Sequence, residues 1–264
     1  MTATVPLDTQ AREAYQTIAP AYDAITGGYV YEQWLQRLEA LAVEQHALCG
    51  RRLLDVACGT GSSFLPMLAR GYEVTGCDIS AAMLDRARLK APQAELKLAD
   101  MRRLPVMGQF DLLTCLDDAI NYVLREDELE ATLRGFASNL APRGIAVWDL
   151  NTLAQYRDQF AKDRVWKQRD LFIAWSVEGG RPEVQSGDLV DVAIDMFTHT
   201  TGNQWERSTS LHRQRHWSQA EMHRLADRAG LRLITVRGQH PGAVIDQELD
   251  ELVHTKAIYM AAVR

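Results

Sequence analysis

Short apolar runs alternate with amphipathic stretches along this chain. Runs at 52–57, 73–77, 95–99, 110–116, 145–150, 231–237 and 257–263 have the length and character of strands. Between them, 32–48, 62–70, 80–90, 126–140 and 218–229 place apolar residues every three or four positions, as helices do. In 126–140 the stripe is Leu129, Leu133, Phe136, Ala137 and Leu140. Ser218 with Glu221 predicts a capping box at the start of the last long helix, and Gly230 predicts its end. Strands alternating with helices predict an α/β fold, a mostly parallel seven-stranded sheet with helices on both faces.

One segment departs from the alternation. Leu171–Val177, Leu189–Thr198 and Gln204–Trp217 read as strands, with Glu178-Gly179-Gly180 and Thr201-Gly202-Asn203 as turns. Residues 165–217 are therefore expected to form an antiparallel β insertion. Ligands of open α/β sheets bind at the carboxyl edge of the strands, so this insertion is expected to roof a substrate pocket. A dimerisation flap is the structural alternative.

The chemistry starts at the end of the first strand. Leu53-Leu54-Asp55-Val56-Ala57-Cys58-Gly59-Thr60-Gly61 is an apolar run entering a glycine turn, and Cys77-Asp78-Ile79 ends the next run on an acid. A carboxylate there suits a ribose diol, and the turn lets backbone approach a ligand. A dinucleotide site wants a third glycine, but that slot holds Phe64. Asp55 would also repel a pyrophosphate, whereas it favours an ammonium or a sulfonium. S-adenosylmethionine (SAM) fits better than NAD.

Asp55-Val56-Ala57-Cys58-Gly59-Thr60-Gly61 resembles motif I of the class I SAM-dependent methyltransferases. Cys77-Asp78-Ile79-Ser80-Ala81-Ala82-Met83-Leu84 and Leu98-Ala99-Asp100-Met101 are similar to the segments that follow in that family. The resemblance spans about 50–150, and it implies a Rossmann-like sheet whose seventh strand inserts antiparallel. It implies SAM as cofactor, held by Asp55, Ala57, Gly59, Gly61, Asp78, Ile79, Met83, Asp100, Met101 and Cys115. Tyr15, Tyr22-Asp23 and Tyr31-Glu32-Gln33-Trp34 look like the aromatic lid of the small-molecule methyltransferases, which adds Tyr22 and Trp34 to the cofactor contacts. The expected organisation is a helical lid over 1–48, a SAM-binding domain over 49–164 and 218–264, and the insertion over 165–217.

Composition narrows the partners. The chain has 264 residues, 47% hydrophobic, with net charge −6 and interspersed signs, which disfavours a nucleic acid as the main partner. The segment Cys115-Leu116-Asp117-Asp118-Ala119-Ile120-Asn121-Tyr122 lacks the Pro-Pro-aromatic signature of amino-methylating DNA enzymes. The four cysteines, Cys49, Cys58, Cys77 and Cys115, are too scattered for metal ligation and read as reduced structural thiols. No metal is expected. Neither a signal peptide nor a membrane span is apparent, so a cytoplasmic protein is expected, with a homodimer as one option.

Methyl transfer requires alignment, exclusion of water and, for some nucleophiles, a base. The candidate catalytic residues are His216, Tyr15 and Asp118. His212 and His216 are expected on one strand face, and Asp117 or Asp118 could instead cap a helix. The expected activity is transfer of a methyl group to nitrogen or oxygen of a natural-product-like small molecule. An RNA-modifying methyltransferase and a non-catalytic SAM-binding protein are the alternatives.

Overall fold

The computed structural model describes residues 7–46, 48, 50–177 and 183–264. The expected turn at Glu178-Gly179-Gly180 and the thiol of Cys49 lie outside the described residues. Three helices open the chain: α1 (Leu7–Ile18), α2 (Tyr22–Ile25) and α3 (Tyr31–His46). The main domain then runs β1 (Arg52–Val56), α4 (Leu65–Ala69), β2 (Glu73–Asp78), α5 (Ala81–Lys90), β3 (Glu95–Leu98), β4 (Phe110–Cys115), α6 (Glu126–Asn139) and β5 (Leu140–Asn151). After α7 (Leu153–Asp158) come β6 (Arg164–Lys167), β7 (Leu171–Val177), β8 (Leu189–His199) and β9 (Trp205–Arg215). The chain closes with α8 (Gln219–Arg228), β10 (Leu231–His240), β11 (Val244–Ile245) and β12 (Lys256–Val263).

The large sheet has the order β11-β10-β12-β5-β4-β1-β2-β3. Strands β1 to β5 pair in parallel, and β12 inserts antiparallel between β5 and β10. The sheet has eight strands, not the expected seven. The extra one, β11, is a two-residue edge pairing with Gln239 and His240, too short to leave a period in the sequence. The order reverses between β1 and β4, and the carboxyl ends of β1, β2 and β4 converge there.

Both faces of the sheet are packed. Leu129, Leu133 and Phe136 of α6 are fully buried on one face, beside Trp148 of β5, whose ring stacks on Tyr259 of β12 at 5.6 Å. On the other, Trp34, Leu35 and Leu38 of α3 pack with Phe64, Met67 and Leu84. The Ser218–Glu221 capping box is formed, and Gly230 follows α8 with φ +82°.

The insertion is a separate antiparallel sheet, β6-β7-β8-β9. Its first strand, β6, was not anticipated, because its four residues are all exposed and carry no buried alternation. Ile173, Val192, Ile194 and Met196 face inward onto Tyr156 and Phe160 of the segment around α7. Among the described residues, no helix is long and apolar enough to cross a membrane.

Candidate active site

The turn after β1 has an unusual backbone. Ala57, Gly59 and Gly61 all have positive φ, at +57°, +54° and +84°. A Cβ on Gly61 would lie 2.6 Å from the Phe64 ring, so this glycine admits the aromatic side chain that replaces a third glycine. The Gly59 N–H donates to Asp78 Oδ2 and the Ser80 N–H to Asp78 Oδ1, each at 2.8 Å. Asp78 thereby ties the glycine turn to the start of α5. Burial, only partly offset by these bonds, raises its carboxyl to about 6.

A cavity of about 670 Å³ opens above this turn. Ala57, Gly59, Asp78, Ile79 and Met101 border it, and Tyr15 and Tyr22 close it from the N-terminal helices. Asp100 borders an adjoining cavity that shares Ala57, Ile79 and Met101 with the first. The bare turn and the carboxylate at its wall fit an adenosyl ligand. Asp55 stands behind the wall. Its carboxylate accepts from Ser63 Oγ and Thr114 Oγ1, both at 2.6 Å, and burial raises it to about 6. It reaches the cavity through Ser63, which borders it.

Four other expected cofactor contacts are packing residues. Gly61, Met83 and Cys115 do not border this cavity, and Met83 instead seats Ile18 and Ala19 of the N-terminal segment. Trp34 lies in the core beneath Tyr31, and it is Tyr31 that reaches the cavity.

The N-terminal helices are fastened at three points. Gln16 Oε1 accepts from Ser80 Oγ at 3.0 Å and the Ala82 N–H at 3.2 Å. Asp23 Oδ1 accepts from Lys90 Nζ and Thr60 Oγ1, both at 2.5 Å. Burial works against the Asp23 carboxylate, but the bonds from Lys90 and Thr60 outweigh it and hold its pKa below the usual value. Tyr31 OH donates to Asp117 Oδ2 at 2.5 Å.

A second cavity, about 1170 Å³, lies between these helices and the inner face of the insertion. Ile173, Trp175, Ile194, His212 and Gln214 line it from the insertion, and Tyr29 from the N-terminal segment. Tyr15, Tyr22, Asp117 and Tyr122 border both cavities. Tyr15 stands at the junction.

Charge concentrates at that junction. Asp117 and Asp118 are consecutive residues with φ of +60° and +52°. Asp118 N–H donates to Asp149 Oδ2 at 3.0 Å, and its own carboxylate accepts from Gln214 Nε2 at 2.5 Å and Lys256 Nζ at 3.4 Å. Lys256 also bonds Asp149 at 2.5 Å. Burial disfavours the Lys256 cation, but Asp149, Asp118 and Asp117 reverse this and raise its pKa. Burial raises Asp117 to about 7, against the pull of Lys256, and raises Asp118 too. Asp118 does not cap a helix through its side chain. Lys256, Asp149 and Gln214 were not anticipated. A lone charge opening the apolar run 257–263 was the available signal for Lys256.

The two expected histidines are placed differently relative to the cavities. His212 borders the second cavity, but His216 borders neither. Strand β9 ends at Arg215, and the buried alternation of Ser210, His212 and Gln214 continues to His216. That ring is fully buried against Tyr156, with Nε2 3.4 Å from the Glu251 carboxylate.

Residues 53–144 match the family described as a methyltransferase domain. A dTDP-3-amino-3,6-dideoxy-alpha-D-glucopyranose N,N-dimethyltransferase of Streptomyces fradiae is 36% identical over 132 residues, covering 49% of this chain and 51% of that protein. A cypemycin N-terminal methyltransferase from a Streptomyces species is 26% identical over 213 residues, 78% of this chain and 82% of that protein. Among solved structures, a SAM-dependent methyltransferase from Clostridium acetobutylicum superposes with TM-score 0.78 at 21% identity, over 94% of this chain and 98% of that one. The sugar N-methyltransferase from a Streptoalloteichus species gives TM-score 0.72 at 18% identity, over 92% of each chain.

Proposed function

We propose that this chain, a SAM-dependent methyltransferase, moves the methyl group to an amine nitrogen of a small, water-soluble metabolite such as an amino sugar. The observation that carries the reading is the shared wall of the two cavities, to which Tyr15, Tyr22, Tyr122 and the Asp117 carboxylate all belong. A junction built from carboxylates and aromatic faces favours a cationic group over a neutral hydroxyl. The second cavity, between the N-terminal helices and the insertion, suits a compact substrate.

When bound, SAM supplies an already activated methyl group. The protein's task is to orient and to exclude water. Asp78 would accept from the ribose hydroxyls, while Ile79 and Met101 offer apolar surface for a base. The bonds of Gln16, Asp23 and Tyr31 hold the N-terminal helices closed over both ligands.

The test is incubation of the protein with SAM and dTDP-3-amino-3,6-dideoxy-alpha-D-glucopyranose, the substrate named for the Streptomyces fradiae relative. Its 3-hydroxy counterpart and simple amino sugars run in parallel, with products read by mass spectrometry. Methyl gain on the amines and none on the hydroxyl analogue is expected. Methylation of the hydroxyl analogue alone would overturn the nitrogen assignment.

A further inference from the structure

Two buried carboxylate oxygens at the junction have no protein partner, Asp117 Oδ1 and Asp149 Oδ1, and of these two residues only Asp117 borders the cavities. Asp117 Oδ2 accepts from Tyr31 OH, but Asp117 Oδ1 is buried and makes no hydrogen bond. A carboxylate oxygen in that condition carries a desolvation penalty unless a ligand supplies a donor. Its backbone points the same way. Consecutive non-glycine residues in the left-handed region are strained, and such strain collects at functional sites. Of the neighbouring acids, Asp118 has both oxygens held by Lys256 and Gln214, and Asp149, bonded at Oδ2 by Lys256 and the Asp118 N–H, borders neither cavity. Only Asp117, of these three acids, borders both cavities.

We propose that Asp117 is the seat of the substrate amine: Oδ1 accepts an N–H of the ammonium, takes that proton, and leaves the nitrogen facing the cofactor cavity. This rests on the amine reading above. The step balances without another reactant. The substrate ammonium and the Asp117 carboxylate become a neutral amine and a carboxylic acid. The nitrogen lone pair then forms the N–C bond as the C–S bond breaks, its electron pair returning to sulfur. The products are a methylated ammonium and S-adenosylhomocysteine. A carboxyl poised near neutrality suits this exchange, and Asp117 stands at about 7. The groups facing it are Tyr31 of α3, Tyr22 of α2, Tyr29, Asp118, Asp149 of β5 and Lys256 of β12.

Sinefungin tests this without a known substrate, because it carries an ammonium on carbon where SAM carries methyl on sulfur. Its affinity is compared with that of S-adenosylhomocysteine by calorimetry, in the wild type and in Asp117→Asn. Asparagine tolerates left-handed backbone, so the substitution preserves the turn. Asp117→Ser provides a second variant if the first is unstable. The expected result is a loss of tenfold or more for sinefungin and less than threefold for S-adenosylhomocysteine. Wild-type sinefungin binding near pH 7 should also release protons, measured in buffers of different ionisation enthalpy, and the variant should not. Equal losses for both ligands would mean that Asp117 holds the cofactor's own ammonium, which overturns the proposal. Unchanged sinefungin affinity overturns it too. If neither ligand binds the wild type, the SAM-dependent reading itself fails, an outcome distinct from the other two.

Discussion

The Tyr122 hydroxyl lies 2.9 Å from Nδ1 of His212, joining the segment after β4 to the last strand of the insertion. Ser210 Oγ lies 3.0 Å from the other ring nitrogen. Burial lowers the His212 pKa to about 4, so the imidazole is neutral near pH 7, with one nitrogen donating and one accepting. A base that weak does not remove a proton from an ammonium. His212 instead fixes the orientation of Tyr122 at the wall of both cavities. Tyr122→Phe leaves a buried ring nitrogen unpaired and should destabilise the fold by about 1–3 kcal/mol, read from urea unfolding. Substrate KM should rise while the SAM dissociation constant moves less. A variant with wild-type stability would show that the bond does not form in solution.

The buried acids give the protein a pH dependence of definite sign. Asp55 is raised from 3.8 to about 6 by burial, despite bonds from Ser63 and Thr114. The folded state therefore holds this proton more tightly than the unfolded chain. Its contribution is fully present below about pH 4 and is lost as pH rises through about 6. Asp55→Asn keeps the shape and removes the titration. Between about pH 4 and pH 7, wild-type stability should fall relative to this variant by on the order of 1–3 kcal/mol. Parallel stability curves across that range would reject the shift.

How much of this was legible depends on sequence distance and on local rules. The Asp78–Gly59 bond lies within one strand–helix–strand unit, and the glycine turn and terminal acid announce it. Lys256 and Asp149 are 107 residues apart, and they meet only because β12 inserts antiparallel beside β5, setting Ile258 opposite Asp149. No periodicity encodes that register. His216 keeps the buried face that alternation gives it, but it meets Tyr156 and Glu251 there and borders neither cavity, which alternation alone does not encode. Trp34 shares a helix and an aromatic motif with Tyr31, but its face of α3 packs on Leu35 and Leu38. The motif did not say which ring looks into the cavity.

The two motif glycines should fail in different ways. Gly61→Ala meets the Phe64 ring at 2.6 Å in addition to its positive φ, so overpacking and backbone strain combine. A stability loss of roughly 2–4 kcal/mol is expected, with Tm as the readout. At Gly59 the nearest atom to a new Cβ is Tyr22 Cε1, 3.7 Å away, an ordinary contact. Gly59→Ala should lose only about 1–2 kcal/mol from backbone strain. Its main effect should be on SAM affinity, because Gly59 borders the cofactor cavity and Gly61 does not. Equal effects of the two substitutions on stability would contradict the packing described.

The last prediction concerns the fastening of α2. Asp23 holds Lys90 of α5 and Thr60 of the glycine turn through one carboxylate oxygen, with Ser62 Oγ a further 2.9 Å from the lysine. Both side chains of the ion pair are partly exposed, so solvent and salt weaken it, and its thermodynamic contribution is small. Its position matters more. Tyr22 is the adjacent residue and borders both cavities, so releasing Asp23 loosens a wall of each. Asp23→Ala should leave global unfolding within about 1 kcal/mol of the wild type. Amide exchange in α1 and α2 should accelerate, and SAM should dissociate about two- to fivefold faster, the scale of a part-exposed pair. Raising the salt concentration should move the wild type toward the variant and leave the variant unchanged. Exchange confined to its wild-type rate would mean that Gln16 and Tyr31 are sufficient to hold the lid.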